Sequence, residues 1–229
     1  MSRKSLVDKS LSATLVHGIL ICYSILALWP IFLVVSNSFK SRKGIFNDPM
    51  AVPTAETFST IGFDKVLGRS NFDVYFLNSI TVTVMTLGIT LLIGAMAAWA
   101  LAGYKYRLNT LLAFYLAIGI MVPIRLGTVS ILKLVVAMGL MNSLTALILV
   151  YIAMSLPLTI FILNEFMQQI PNDLKEAARC DGVSEYRIFF QIILPLTKPA
   201  IATVGVFTMV PVWNDLWFPL ILTADDSVR

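Results

Sequence analysis

At 229 residues, 58% of them hydrophobic and 13% charged, with a mean hydropathy of +0.83, the chain lies far outside the composition of a soluble domain. The formal charge of +4 is scattered over loops rather than gathered in a stripe, which argues against nucleic acid as a partner, and the 2 cysteines exclude a disulfide framework. A membrane protein remains, because a helix needs roughly 20 apolar residues to cross a hydrocarbon core about 30 Å thick and several stretches here reach that length.

In chain order, the basic residues 1–12 (MSRKSLVDKSLS) form a tail ahead of an apolar run. That run continues past Trp29 and Pro30 and lacks a small-x-small cleavage site, so it reads as a retained first span, 13–35, rather than a signal peptide. Cys22 and His17 fall in or at the edge of it and read as packing or interfacial groups. Residues 36–75 carry Pro49, Pro53 and mixed charges and are expected to be an extramembrane loop. A core of further spans follows over 76–223. Span two is predicted over 76–102, with Gly94, Ala98 and Ala102 forming a small-residue stripe that lets another helix come close. Lys105 and Arg107 close it, and span three runs over 109–122 up to Pro123. Residues 126–141 are apolar but interrupted by Lys133, as expected of a helix near the interface. Span four is predicted over 143–163 with a kink near Pro157. A polar stretch, 164–199, separates it from span five, 200–222. Lys and Arg divide almost evenly between the two sets of loops, so the positive-inside bias leaves orientation open.

The polar stretch holds the most informative pattern. Pro171 or Asn172 starts a short helix, Asp173 sits in its first turn where the positive end of the helix dipole favours an anion, and Gly182 stops it. Leu174, Ala177, Ala178 and Asp181 share one mildly apolar face. Ser184 is placed to cap a second helix running through Ile188, Phe189 and Phe190 to Leu194 and Pro195. Two short helices meeting at a glycine make a compact projection that transmits a push where a floppy loop would absorb it.

The run Glu176-Ala177-Ala178, three residues, Gly182, nine residues, Ile192, one residue, Leu194-Pro195 resembles the EAA loop of ABC importer permeases at every defined position. Cys180-Asp181-Gly182, Trp213-Asn214-Asp215 and Pro219-Leu220 are similar to the maltose-type sugar permeases of that family. The resemblance implies an all-α integral membrane protein, a polytopic helical bundle of the type I importer permease kind with five predicted spans and a cytoplasmic coupling helix. It implies a subunit that forms half of a sugar pathway and touches a separate ATPase dimer through Glu176, Ala177, Ala178, Asp181 and Gly182. Its further partners would be a second, sister permease, an extracytoplasmic sugar-binding protein and membrane lipid. It would lie in a prokaryotic plasma (inner) membrane with the N-terminus cytoplasmic, bind no cofactor itself, and leave ATP to the partner subunit. The family pattern has a sixth span and an inner tail. Here the chain stops at Arg229, so the expectation is a missing sixth helix, with 224–229 as an extracytoplasmic end.

Asp215 falls about 15 residues into span five, roughly 22 Å along it. One reading is an interfacial carboxyl beside Trp213 and Trp217; the other is a polar wall of the sugar path, with Trp213 stacking on a sugar face and Asn214 supplying hydrogen bonds. An ion-gradient-driven secondary transporter is the alternative class, but it calls for an inverted repeat or a midplane charge pair, and neither is present. No GxxxxGK[ST], HExxH or GxSxG motif is present, so an ATPase or an enzyme is not expected.

Overall fold

The computed structural model describes residues 3–69, 71–104 and 106–223, and the chain divides into two units, residues 1–73 and 74–229. The expected extracytoplasmic end at 224–229 and the closing Lys105 lie outside the described residues.

In the first unit, α1 (Arg3–Ser38) is longer at both ends than the predicted span, and it runs helically through Pro30. Its stretch from Thr14 to Ser38 is apolar, and no residue of the most apolar 18-residue window within it is buried, as expected of a helix whose covering is lipid or another subunit. The loop that follows is folded rather than irregular. Ser41 caps α2 (Arg42–Asn47) by accepting from the Gly44 N–H at 3.3 Å, and Ser41 N donates to Thr57 O at 2.8 Å. Lys40 is buried and donates from Nζ to the Asp48 carbonyl at 3.0 Å. Phe39 packs against Phe58 and Phe63 at the start of α3 (Ile61–Arg69).

α4 (Phe72–Gly103), which lies in the second unit from Val74 onward, extends the predicted span two by a turn at its start. Val82, Thr83, Thr86, Thr90, Gly94, Ala95, Ala98 and Trp99 are its buried residues, a stripe at helical spacing. α5 (Asn109–Met121) ends at the residue pair before Ile124, a 3₁₀ turn (Ile124–Gly127) follows, and α6 (Thr128–Ala137) leaves at 86° to α5. Pro123 forces this break, having no N–H to donate and disfavouring helical geometry at Val122. α7 (Leu144–Gln168) starts under a Ser143 cap, Oγ accepting from Ala146 N at 3.2 Å, and outlasts the predicted span four by a turn. Among the described residues three helices are long and apolar enough to cross a membrane, and up to five spans result if each of two bent pairs counts as one.

Two buried cores stand at opposite ends of α4. One gathers Ala95, Ala98 and Trp99 with Leu163, Met167 and the polar stretch; the other gathers Val82 with Leu147, Tyr151, Phe218 and Leu222. Midway, Gly94 admits α7: a Cβ there would overlap the Thr159 methyl Cγ2, and Thr159 is itself buried. Alanine in a helix ordinarily improves on glycine by about 0.5–1 kcal/mol. Here the overlap reverses the sign, because a β-branched side chain has no spare rotamer to retreat into. Gly94→Ala is expected to lower stability by about 1–3 kcal/mol in a detergent thermal scan, and Thr159→Ser, which removes that methyl, to restore it.

Candidate functional site: a helical elbow and a cleft

α8 (Asn172–Cys180) and α9 (Glu185–Ile188) meet at Gly182. The turn is fully bonded: Val183 N donates to Ala178 O and Gly182 N to Arg179 O, both at 3.0 Å, with Gly182 at φ +74°. This pairing satisfies the last carbonyls of α8 and requires a left-handed residue where Gly182 stands. Ser184, predicted as a side-chain cap, has extended backbone but makes no capping hydrogen bond. After α9 the chain widens into a π turn (Phe189–Ile193), in which Leu194 N reaches back to Phe189 O, before α10 (Leu194–Leu196). Ile188, Phe189 and Ile193 are buried against the core that holds Trp99 and Leu163, each worth about 1.5–3 kcal/mol where the alternative is water.

The predicted coupling residues divide. Glu176, Ala177, Asp181 and Gly182 are exposed, whereas Ala178, at 7% exposure, packs into the chain's own core beside Val183. Leu174 and Tyr186 add apolar surface to the exposed side. The inward face of α8 instead carries Lys175, which sequence reasoning passed over as a loop charge. Its side chain is 3% exposed, its Nζ lies 5.4 Å from the centre of the Trp99 ring, and it donates to Asn172 Oδ1 at 3.2 Å. Burial, aided by the nearby Arg179 charge, pushes the Lys175 ammonium below its ordinary value. An aromatic face recovers part of the cost of burying such a cation. Across the turn, Arg179 clasps Glu185 side-on, Nε to Oε1 at 2.6 Å and Nη2 to Oε2 at 3.4 Å. The hydrogen bond from Arg179 holds the Glu185 carboxyl below the usual carboxylate value. Tyr104, just past the end of α4, sits against this pair, and burial followed by the Glu185 hydrogen bond pushes its phenol up.

At the other end, span five is not one helix. α11 (Lys198–Asn214) lies at 76° to the helix before it, passes through Pro211 unbroken, and stops at Asp215, with α12 (Trp217–Leu222) beyond. Asp215 is extended, and its carboxyl group receives the Tyr151 hydroxyl at 2.8 Å, Phe218 N at 3.1 Å and Trp217 N at 3.3 Å. It therefore caps α12 and ties it to α7. Trp217 is held by Thr128 Oγ1 at 3.1 Å and lies under the Arg125 guanidinium at 5.8 Å. Asn142 N donates to Leu222 O at 2.9 Å. Asn214 turns back to its own helix, donating to Val210 O at 2.8 Å, while Trp213 is 45% exposed and meets Phe76 edge-on at 6.0 Å. A cleft of about 80 Å³ lies between Asn78, Ser79 and Thr83 of α4 and Tyr151, Trp213 and Asp215. Tyr151 carried no signal in the sequence beyond being one more aromatic in a span.

Residues 90–228 match the family described as binding-protein-dependent transport system inner membrane component. The chain belongs to this family. The diacetylchitobiose uptake system permease protein NgcG of Streptomyces coelicolor is 34% identical to it over 94% of this chain and 70% of that protein. The melibiose/raffinose/stachyose import permease protein MelC of Bacillus subtilis is 31% identical over 94% of this chain and 76% of its own length. In fold, a chain of a bacterial ABC transporter involved in the import of the acidic polysaccharide alginate superposes with a TM-score of 0.79, at 23% identity, over all of this chain and 79% of the other. The resemblance to carbohydrate importer permeases and the all-α, multi-pass membrane architecture expected from the sequence therefore stand.

Proposed function

We propose that this permease-family chain is the membrane subunit of an ATP-driven sugar importer, and that the elbow at Gly182 is its contact with a separate ATPase dimer. The observation that carries the reading is the glycine-stopped elbow itself: a rigid turn with Glu176, Ala177, Asp181 and Gly182 presented outward and its inner face anchored in the bundle. ATP is bound and split by the partner, whose closure moves the elbow and swings the bundle between inward-open and outward-open states. The elbow then lies in the cytoplasm, which puts the N-terminus on the same side of a prokaryotic inner membrane. A sister permease supplies the other half of the path, and a soluble binding protein delivers the sugar from outside. The sugars for which the relatives are named support a carbohydrate cargo.

Of the residues proposed for the path, Trp213 is the one with an open ring face; Asn214 and Asp215 spend their polar atoms on the helix break. A cleft of about 80 Å³ is well below the 300–1,000 Å³ of ordinary ligand pockets, so the sugar site takes its remaining walls from the sister subunit.

The test uses the full importer. Glu176→Lys, which reverses a charge on the exposed face, is expected to lose the ATPase from a detergent pull-down while the permease still inserts. A membrane-impermeant thiol reagent applied to intact cells is expected to leave the exposed Cys180 unlabelled in a Cys22→Ser background and to label it after permeabilisation. Labelling from outside ends the proposal.

A further inference from the structure

The elbow packs against three helices that could carry its motion onward. α7 leads into it and α11 follows it in the chain, but α7 carries Pro157 inside it, and the route through α11 turns by 76° at its start and is interrupted at Asp215; joints of this kind absorb displacement. α4 is the third. It is a single 32-residue helix without an internal proline or a break, and it contacts the elbow at one end and the cleft at the other.

Three observations bear on α4. At the elbow end the buried Lys175 ammonium sits on the Trp99 face, and the Arg179–Glu185 clasp lies by Tyr104, just past the end of the helix. Lys175 and Arg179 are a turn apart on α8, so α8 meets α4 at Trp99 and the chain just beyond it. Along its middle, the helix packs closely on α7 at Gly94 but is bonded to it by no buried threonine hydroxyl. The hydroxyls of Thr86 and Thr90 on α4, and of Thr159 on α7, are buried and have no hydrogen-bond partner among the described residues. Hydroxyl bonds between helices act as glue in a bilayer, and here they are not made. At the far end, Asn78, Ser79 and Thr83 line the cleft, roughly 24–31 Å from Trp99 along the axis.

Building on the coupling reading above, we propose that α4 is the rod that carries motion from the elbow to the cleft, and that Lys175 is the positioning residue that fixes α8 to it through Trp99. Lys175 does not touch the ATPase or the sugar. Its contribution is that a displacement of α8 becomes a displacement of α4 rather than a local tilt. With no hydroxyl bond holding it to α7, α4 shifts as a whole, and the Asn78, Ser79 and Thr83 wall then moves against Tyr151 and Asp215, which are held by α7 and α12.

The experiment measures sugar taken up per ATP hydrolysed by the importer in liposomes, with ATPase pull-down alongside. Lys175→Met and Trp99→Leu are each expected to lower uptake per ATP about tenfold while the ATPase is still captured, and the double variant to be no worse than either alone. Lys175→Arg, which keeps a cation for the ring face, is expected to return to within about twofold of wild type. Trp99→Phe, which keeps a ring with most of the bulk, covers the case in which Trp99→Leu does not fold, and it should fall between wild type and Lys175→Met. Unchanged uptake per ATP in Lys175→Met, losses that multiply in the double variant, or an arginine that fails to rescue would each overturn the rod assignment. If Glu176→Lys still captures the ATPase, it is the coupling reading that fails; if Glu176→Lys loses the ATPase while Lys175→Met couples normally, only the rod assignment falls.

Discussion

Gly182→Pro is expected to abolish both ATPase capture and uptake in a protein that still inserts into the membrane, whereas Gly182→Asn keeps most of both. Space is not the reason, since a Cβ at Gly182 would meet nothing within 4 Å. The backbone is. At φ +74°, an ordinary L-residue costs roughly 1–2 kcal/mol, asparagine least, and proline cannot adopt the conformation at all. Proline also deletes the N–H that closes the turn onto Arg179 O. Alanine should lie between the two, weakening the elbow by about 1 kcal/mol without dissolving it. The ranking is read by pull-down and by uptake, both normalised to inserted protein. A proline variant that behaves like wild type would remove the left-handed turn as a requirement.

Asp215→Ala should be the most destabilising single change at the cleft, by roughly 2–4 kcal/mol, because it removes a helix cap and leaves a buried hydroxyl without its acceptor. The Tyr151 hydroxyl and the N–H groups of Trp217 and Phe218 all converge on this side chain. Asp215→Asn retains one carbonyl oxygen and should lose less. Tyr151→Phe breaks a single bond and should cost about 1 kcal/mol. A double-mutant cycle on Tyr151 and Asp215 in detergent thermal scans should return a coupling of about 1 kcal/mol or more. Additive effects would mean that the 2.8 Å contact contributes nothing. Trp213→Ala offers the contrast: with its ring half exposed, it should leave stability nearly unchanged, so any loss of uptake there reports on cargo rather than on folding.

What could be read in advance follows from how local each feature is. The elbow is encoded within a dozen neighbouring residues, by a proline at the start, a glycine at the stop and a fixed spacing between them, so its helices and turn could be placed from the sequence. The spans were legible for the same reason, since length and apolarity are properties of one segment. Lys175 was not legible, because a lysine in a polar stretch looks solvated until the fold brings Trp99, far away in the chain, beneath it. The break in span five was not legible, because α11 runs through Pro211 and ends where Asp215 finds Tyr151 on another helix. Ala178 looked like part of the outward face from its triplet with Glu176 and Ala177, but helical rotation turns it inward with Lys175.

The interruption at Asp215 also bears on the surrounding lipid. The 17 residues of α11 reach about 25 Å, short of a 30 Å hydrocarbon slab, and the peptide carbonyls freed at its end cannot be left facing acyl chains. The break must therefore face protein or a water-filled cavity rather than lipid, and the cleft that Trp213 and Asp215 line lies beside it. A hydroxylated cargo would begin to trade its water for protein at that depth, before any gate has to open.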